Sequence, residues 1–138
     1  MKSAIFLNIK EKDKNKLLFE LIERFYYEGE KIVIFTSTQE RANELDRFIW
    51  IYKQESFIPH KIFTYSEEDA LEKIAIVYNK LNPFSANVLI VYDKCDLDFA
   101  LNFEKIYEFV EHTKEAIIES RKRYKFYKDK GYVMHYEE

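Results

Sequence analysis

The sequence of 138 residues contains little cysteine, glycine or proline, and no long apolar run. Cys95 is the only cysteine, which excludes an internal disulfide and is usual in a reducing cytoplasm. No apolar stretch approaches the roughly 18 residues that a transmembrane helix needs. The N-terminal apolar run is too short for a signal peptide and lacks a small-residue cleavage site. These absences predict a soluble, cytoplasmic protein with no membrane partner.

The scarcity of glycine excludes a second class of protein. The two glycines, Gly29 and Gly131, both stand where predicted helices end. None is left for a GxGxxG or Walker A loop, which needs glycine so that the backbone can approach a phosphate. We therefore expect no nucleotide-binding enzyme and no cofactor.

A basic excess is also missing, since the formal net charge is −3. Nucleic-acid-binding domains usually carry such an excess because neutralising phosphates supplies most of their affinity. Direct DNA binding is accordingly not expected of the whole chain. The hydrophobic share of 47% and the charged share of 34% are typical of a folded protein. The length predicts one domain over residues 1–138.

Strand-like and helix-like segments alternate along the chain. The predicted strands are Ala4–Ile9, Lys31–Thr36, Ile74–Tyr78, Asn87–Tyr92 and Ile106–Val110. This alternation predicts an α/β fold with a largely parallel central sheet flanked by helices. The strands are almost continuously apolar, which is typical of strands covered on both faces. The fold class is Rossmann-like, but without a phosphate-binding loop.

Capping residues mark the predicted helices. Ser37 and Glu40 have the spacing of a capping box, and Thr113 can cap a last helix that runs to Gly131. The region between residues 61 and 83 is harder to interpret. Ile62–Thr64 is compatible with an extended segment, and Glu67–Lys73 with either a short helix or a loop.

Three aspartates, Asp93, Asp96 and Asp98, follow a predicted strand, and Asp98 lies in the first turn of a predicted helix over Leu97–Phe103. Carboxylates at this position could hold a Mg²⁺ ion for a metal-dependent hydrolase. The simpler interpretation makes Asp96 the N-cap of the helix, with Asp98 favoured by the helix dipole. No second acidic cluster or catalytic lysine motif accompanies the aspartates, which favours the simpler interpretation.

Other catalytic arrangements find little support. Cys95 could pair with His60 or His112 as nucleophile and base, but no local motif accompanies them. The three histidines lack the HxxxH and HExxH spacings of zinc sites. The sequence therefore predicts a protein that is not an enzyme.

The predicted last helix is strongly basic within an acidic protein. Arg121, Lys125 and Lys128 are spaced i, i+4, i+7 and share one face with Tyr124. Such a stripe can bind carboxylates, with aromatic walls for an apolar side chain. It is also compatible with a solvated helix whose cations complement the C-terminal dipole. A third hypothesis is direct binding of single-stranded nucleic acid.

Two motifs together resemble the chi subunit family of bacterial DNA polymerase III. In that family a helix ending in Leu-Asp-x-x-Leu-Trp precedes Ser-Phe-x-Pro-His. The family's last helix carries Arg-x-Arg-Tyr-x-x-Tyr-x-x-x-Gly-aromatic. The matching residues here are Leu45, Asp46, Ile49, Trp50, Ser56, Phe57, Pro59, His60, Arg121, Arg123, Tyr124, Tyr127, Gly131 and Tyr132. Ile49 stands where the family usually has leucine, and residues 61–83 match no family pattern.

The resemblance implies an accessory protein of the clamp loader with no chemistry of its own. Its expected partners are the psi subunit and the acidic C-terminal tail of single-stranded-DNA-binding protein, which ends in aspartates followed by Ile-Pro-Phe. By motif position, Arg121, Tyr124 and Lys125 should contribute most to a pocket for this tail. Arg123 and Lys128 could steer the tail at longer range.

The resemblance also implies a second surface around Trp50. Pro59 fixes its own φ and favours an extended Ile58, so that Trp50 and Phe57 could be neighbouring anchors beside His60. In the family this region faces psi and, in some members, a repair helicase. Alternatively, Trp50 and Phe57 belong to the core and His60 binds a loop carbonyl.

Overall fold

The computed structural model describes residues 2–9, 13–53, 55 and 57–137; Ser56 of the proline motif lies outside this part. The elements in chain order are β1 (Ser3–Asn8), α1 (Lys14–Tyr27), β2 (Ile32–Phe35), α2 (Gln39–Tyr52), β3 (Lys61–Ile62), β4 (Ile74–Val77), β5 (Val88–Val91), α3 (Leu97–Ala100), β6 (Lys105–Val110), α4 (Lys114–Asp129) and β7 (Val133–Glu137).

The strands form one seven-stranded sheet in the order β3-β4-β2-β5-β6-β1-β7. Every neighbouring pair is parallel. This confirms the predicted α/β fold with a parallel sheet. The order also places β1 between β6 and β7, so α4, which joins β6 to β7, has to pass over β1.

Both faces of the sheet are covered, as the apolar strands predicted. Ile32 and Ile34 of β2 face α1 and α2, whereas Val33 and Phe35 face α3 and α4. All four side chains are buried. The two helical layers therefore lie on opposite faces, and α4 lies over β6 and β7 on its face.

The two glycines end helices in the predicted way. Gly131 has φ +92°, its N–H donates to the Lys128 carbonyl, and the Tyr132 N–H donates to the Tyr127 carbonyl. This is a Schellman motif, which needs a left-handed residue just after the helix. Gly29, with φ +75°, ends α1 in the same manner.

The predicted cap of α2 is wrong by one residue. Thr38 is the N-cap, and its side chain accepts a hydrogen bond from the Arg41 N–H. Ser37 instead donates from its backbone N–H and its hydroxyl to the two carboxylate oxygens of Asp93, each at 2.7 Å. A tertiary contact with the next loop thus determines the role of Ser37.

Three other segments either differ from the prediction made from the sequence or decide between its alternatives. The segment 67–73 contains no helix, and α3 ends at Ala100 rather than at Phe103. Strand β7 was not predicted, because its side chains are mostly exposed and give no apolar run. Within the described residues, no helix has the length and apolar character needed to cross a membrane.

Candidate functional site

A cavity of about 390 Å³ opens where β6, β1 and β7 end, against the first half of α4. Its lining side chains are Phe6, Val110, His112, Ile117, Ser120, Arg121, Tyr124 and Tyr136. Ligand pockets in proteins typically have volumes of roughly 300–1,000 Å³. Ligand sites of open α/β sheets lie in this position, beyond the carboxyl ends of the strands.

The floor of the cavity is apolar and aromatic. The rings of Phe6 and Tyr124 are 5.4 Å apart at a tilt of 57°, a favourable geometry for an aromatic pair. Phe6 is fully buried, whereas Tyr136 on β7 is 53% exposed. The cavity therefore has a fixed wall towards the core and opens towards the edge of the sheet.

Basic side chains lie along one side of this apolar cavity. Arg121 lines it, and Lys125 and Lys128 follow on the same flank of α4, exposed to solvent. Among the residues that the structure describes, none of these three cations forms an ion pair. The flank therefore offers positive charge that no described carboxylate neutralises.

Arg123, which the sequence grouped with these cations, faces the protein interior instead. Its Nε donates to Glu108 Oε2 at 2.8 Å, its Nη1 to the Cys95 carbonyl at 2.6 Å, and its Nη2 to the Tyr127 hydroxyl at 2.9 Å. The Tyr127 hydroxyl in turn donates to Glu108 Oε2 at 2.6 Å. The structure does not bring Arg123 into the cavity lining.

The buried network sets the ionisation of its members. Burial acts to lower the pKa of Arg123, but Glu108 more than offsets it, so the pKa lies above its ordinary value. Burial, reinforced by Glu108, raises the pKa of Tyr127. Burial also raises the pKa of the Cys95 thiol to about 12, which makes Cys95 a poor nucleophile.

The aspartates after β5 are engaged in contacts within the protein. Asp93 accepts both hydrogen bonds from Ser37, and Asp96 caps α3 by accepting from the Asp98 and Phe99 N–H groups. Asp96 also pairs with Lys80 at 3.0 Å, and this hydrogen bond lowers the pKa of Asp96. The cap prediction is confirmed. The described residues contain no His, Cys, Asp and Glu cluster suited to a metal ion.

Trp50 and Phe57 form an aromatic surface at the end of α2. Their rings are 5.3 Å apart, and Trp50 is 40% and Phe57 69% exposed. Neither side chain is therefore part of the core. Ile51 and Tyr52, the next residues of α2, are also exposed, at 54% and 41%, but the Tyr52 ring packs on Phe19 and Phe48. Large apolar side chains that are exposed together commonly mark an interaction site.

The proline segment supports this surface because it directs one side chain outward and two side chains into the protein. Phe57 points outward, the next residue, Ile58, is 3% exposed in the core, and His60 is 4% exposed under the Trp50 ring, with ring centroids 4.1 Å apart. The His60 Nδ1 lies 2.8 Å from the Ile58 carbonyl, and Nε2 lies 3.1 Å from the Asp46 carbonyl. The expected loop-carbonyl contact of His60 is present, and Pro59 lies between the two buried side chains of Ile58 and His60.

Several cavity residues were not found from the sequence. Ile117 lies four residues before Arg121, so helical spacing alone could have identified it. Phe6, Val110 and Tyr136 come from three different strands, and only the strand order brings them together. No local motif could have indicated them.

Comparison with solved structures supports the fold alone. The C-terminal domain of the DEAD-box protein Dbp5 is 17% identical, with a TM-score of 0.62 over 99% of this chain and 89% of that domain. The C-terminal domain of the Sulfolobus solfataricus SWI2/SNF2 ATPase is also 17% identical, with a TM-score of 0.56 over 83% of this chain and 57% of that one. Fold likeness at such identity carries no function.

Sequence comparison is more specific. The probable DNA polymerase III subunit chi of Rickettsia prowazekii is 29% identical over 117 residues, covering 78% of this chain and 70% of the relative. Subunit chi of Pseudomonas aeruginosa is 26% identical over 114 residues, covering 83% and 78%. Subunit chi of Escherichia coli is 24% identical over 117 residues, covering 85% and 80%.

A family model described as DNA polymerase III chi subunit, HolC, matches residues 1–135. The match includes α2 with its aromatic surface, the proline segment, the whole of α4, and every residue that lines the cavity except Tyr136. The chain therefore belongs to the DNA polymerase III chi subunit family, a family of replication accessory subunits.

Proposed function

We propose that this protein tethers the replicative polymerase to single-stranded DNA that is coated by single-stranded-DNA-binding protein. In this proposal the α4 cavity binds the acidic C-terminal tail of that coating protein. The observation that carries the proposal is an apolar cavity beside cations that no described carboxylate neutralises.

The chemistry of the tail and that of the cavity are complementary. A terminal phenylalanine would enter the space between Phe6, Ile117 and Tyr136. Its ring would there be removed from water, which is favourable for an apolar side chain. The terminal carboxylate would bind Arg121, whose guanidinium suits carboxylates. Preceding aspartates would meet Lys125 and Lys128 in exposed positions, where charge mainly speeds association and weakens with salt.

The Trp50 and Phe57 surface is the proposed binding site for the psi subunit of the clamp loader, or for a repair helicase in its place. Large aromatics held by their neighbours supply much of the energy of protein interfaces. The His60 ring under Trp50 and the buried Ile58 beside Phe57 fix both anchors before any partner binds. Such fixed anchors reduce the entropy that binding costs.

We propose further that the protein is a non-catalytic, cytoplasmic subunit. The titratable groups that could have supported catalysis have other roles, because Asp93 and Asp96 bind neighbouring loops and Cys95 is buried with a raised pKa. Polymerase activity would then reside in other subunits.

Fluorescence anisotropy with a labelled acidic peptide ending in Ile-Pro-Phe tests the tail site. We expect micromolar binding by the native protein, and at least a tenfold loss for Arg121→Ala, because removing one partner of a charged hydrogen bond costs about 1.5–3 kcal/mol. Lys125→Ala should lose less, about two- to fivefold, since its charge is exposed. Deleting the terminal phenylalanine should abolish binding.

Lys122→Ala is the matched control, because Lys122 is an exposed cation on α4 outside the cavity lining. It should change the affinity by less than twofold. Equal losses in Lys122→Ala and Arg121→Ala would indicate general charge attraction and contradict the pocket. Tighter binding of a bare single-stranded oligonucleotide than of the peptide would favour direct nucleic-acid binding instead.

A further inference from the structure

Strand β7 forms one edge of the sheet, with only β1 beside it among the described strands. The Val133 N–H donates to the Lys2 carbonyl on the β1 side. Because backbone groups alternate along a strand, the N–H and C=O of Met134 and Tyr136 point to the opposite, open side. The edge thus presents four backbone hydrogen-bonding groups.

Apart from the exposed Glu137 at its end, this edge lacks the features that usually block pairing with another chain. Proteins protect edges with lysine, proline, bulges or very short strands. Strand β7 has five residues, Val-Met-His-Tyr-Glu, with neither lysine nor proline, and Val133 and Tyr136 are 41% and 53% exposed. The opposite edge strand, β3, has only two residues and contains Lys61.

The open edge is continuous with the cavity. The Tyr136 side chain lines the cavity, while its backbone groups point outward from the edge. The cations Arg121, Lys125 and Lys128 extend from the cavity along α4, which runs back towards the start of β7. A peptide that leaves the cavity along these cations therefore passes beside β7.

We propose that an acidic peptide bound in the cavity adds to β7 as an eighth, parallel strand. This inference rests on the proposed function and specifies how the same site holds its ligand. The strand is parallel because the carboxyl terminus of the peptide lies in the cavity, where β7 also ends. Main-chain hydrogen bonds then supply affinity, and alternate side chains meet α4, as in other cases of strand addition.

Pairing with β7 predicts that successive residues of the peptide alternate in where their side chains and backbone groups point. In β1 and β7, a residue whose side chain faces α4, such as Phe6 or Tyr136, directs its backbone N–H and C=O away from β6. In a parallel peptide beside β7, residues that face α4 would likewise direct their backbone groups away from β7. With its terminal phenylalanine facing α4, the third and fifth residues from the end also face α4. The backbone nitrogens of the second, fourth and sixth residues point at β7. The second residue is the proline, which has no N–H to donate, so the pairing through peptide amides begins at the fourth residue.

Backbone N-methylation of the peptide tests this alternation without changing the protein. We expect N-methylation at the fourth or sixth residue from the end to weaken binding about tenfold, since it removes a hydrogen bond and inserts a methyl group into the pairing. N-methylation at the third or fifth residue should change the affinity by less than twofold. Amide exchange at Met134 and Tyr136 should slow at least tenfold when the unmodified peptide saturates the protein.

The possible failures can be distinguished. If the unmodified peptide does not bind, the proposed tail site is wrong and this inference fails with it. If it binds in an Arg121-dependent manner but all N-methylated peptides bind alike, the tail site stands and strand addition is overturned. Protection of Met134 and Tyr136 that rises with protein concentration in the absence of peptide would indicate pairing with a second copy, and would also overturn it.

Discussion

At the scale of single residues, Arg121 and Arg123 stand two positions apart on α4 and have opposite surroundings. Arg121 lines the cavity beside solvent, whereas Arg123 binds Glu108, Tyr127 and the Cys95 carbonyl in the interior. A helix turns successive side chains around its axis, so neighbours in sequence serve different purposes. Arg123 therefore anchors α4 on the sheet, and this anchoring places Arg121 at the cavity.

The Arg123→Met variant should lose about 3–5 kcal/mol of unfolding free energy, because it leaves the buried Glu108 carboxylate without its cation. Urea unfolding monitored by circular dichroism measures this change. Lys122→Met, with an exposed cation exchanged on the same helix, should stay within about 0.5 kcal/mol. A loss below about 1 kcal/mol for Arg123→Met would show that the network does not anchor α4.

The sequence indicated which residues of α4 are basic, but not which one is buried. The helix has few aliphatic residues, and its buried positions in the second half are Arg123 and Tyr127. A polar pair of this kind gives no apolar periodicity from which burial can be inferred. The partner that makes burial tolerable, Glu108, lies on a strand and becomes a neighbour only in the folded chain.

At the scale of secondary-structure elements, the stability of α4 depends on the capping interactions at its two ends. Thr113 caps the start by accepting a hydrogen bond from the Ala116 N–H at 3.1 Å, and the Gly131 motif closes the other end. The cavity residues Ile117 and Arg121 lie in the first half of the helix, on the side of the Thr113 cap. Fraying of this end would therefore disturb the cavity before the rest of the fold.

The Thr113→Ala variant should lower the free energy of unfolding by about 1 kcal/mol, because an N–H at the helix start loses its acceptor. The Arg121-dependent peptide affinity should fall a few-fold as the first turn frays. Chemical denaturation and anisotropy titration measure the two effects. Thr64→Ala, in an exposed loop, is the control. A stability loss without any change in affinity would mean that the cavity forms independently of this cap.

Elements with a strong local signal were predicted correctly, and those determined by long-range contacts were not. The buried strands β2, β4 and β5 and the Thr113 cap follow from apolar runs and capping spacing. The shift of the α2 cap to Thr38 arises from the contact between Ser37 and Asp93 across 56 positions. Strand β7 exists because β1 offers it a partner, not because its own residues favour burial.

At the scale of the whole molecule, the two proposed partner surfaces lie far apart on the sheet. The α2 residues Ala42, Leu45 and Ile49 pack on one face, and α4 packs on the other. α2 also lies over the β3 and β4 side, whereas α4 lies over β6 and β7. One chain of this shape can therefore hold two partners at the same time, which a tether requires.

Because the surfaces share no side chains, we expect their binding free energies to be independent. The double variant Trp50→Ala, Phe57→Ala should lose binding to psi while its affinity for the acidic peptide changes by less than twofold. Arg121→Ala should show the reverse pattern. Anisotropy titrations of the peptide, with and without saturating psi, measure the coupling directly. A shift of fivefold or more, about 1 kcal/mol, would show that the sheet transmits binding between its faces, since coupling must act equally in both directions.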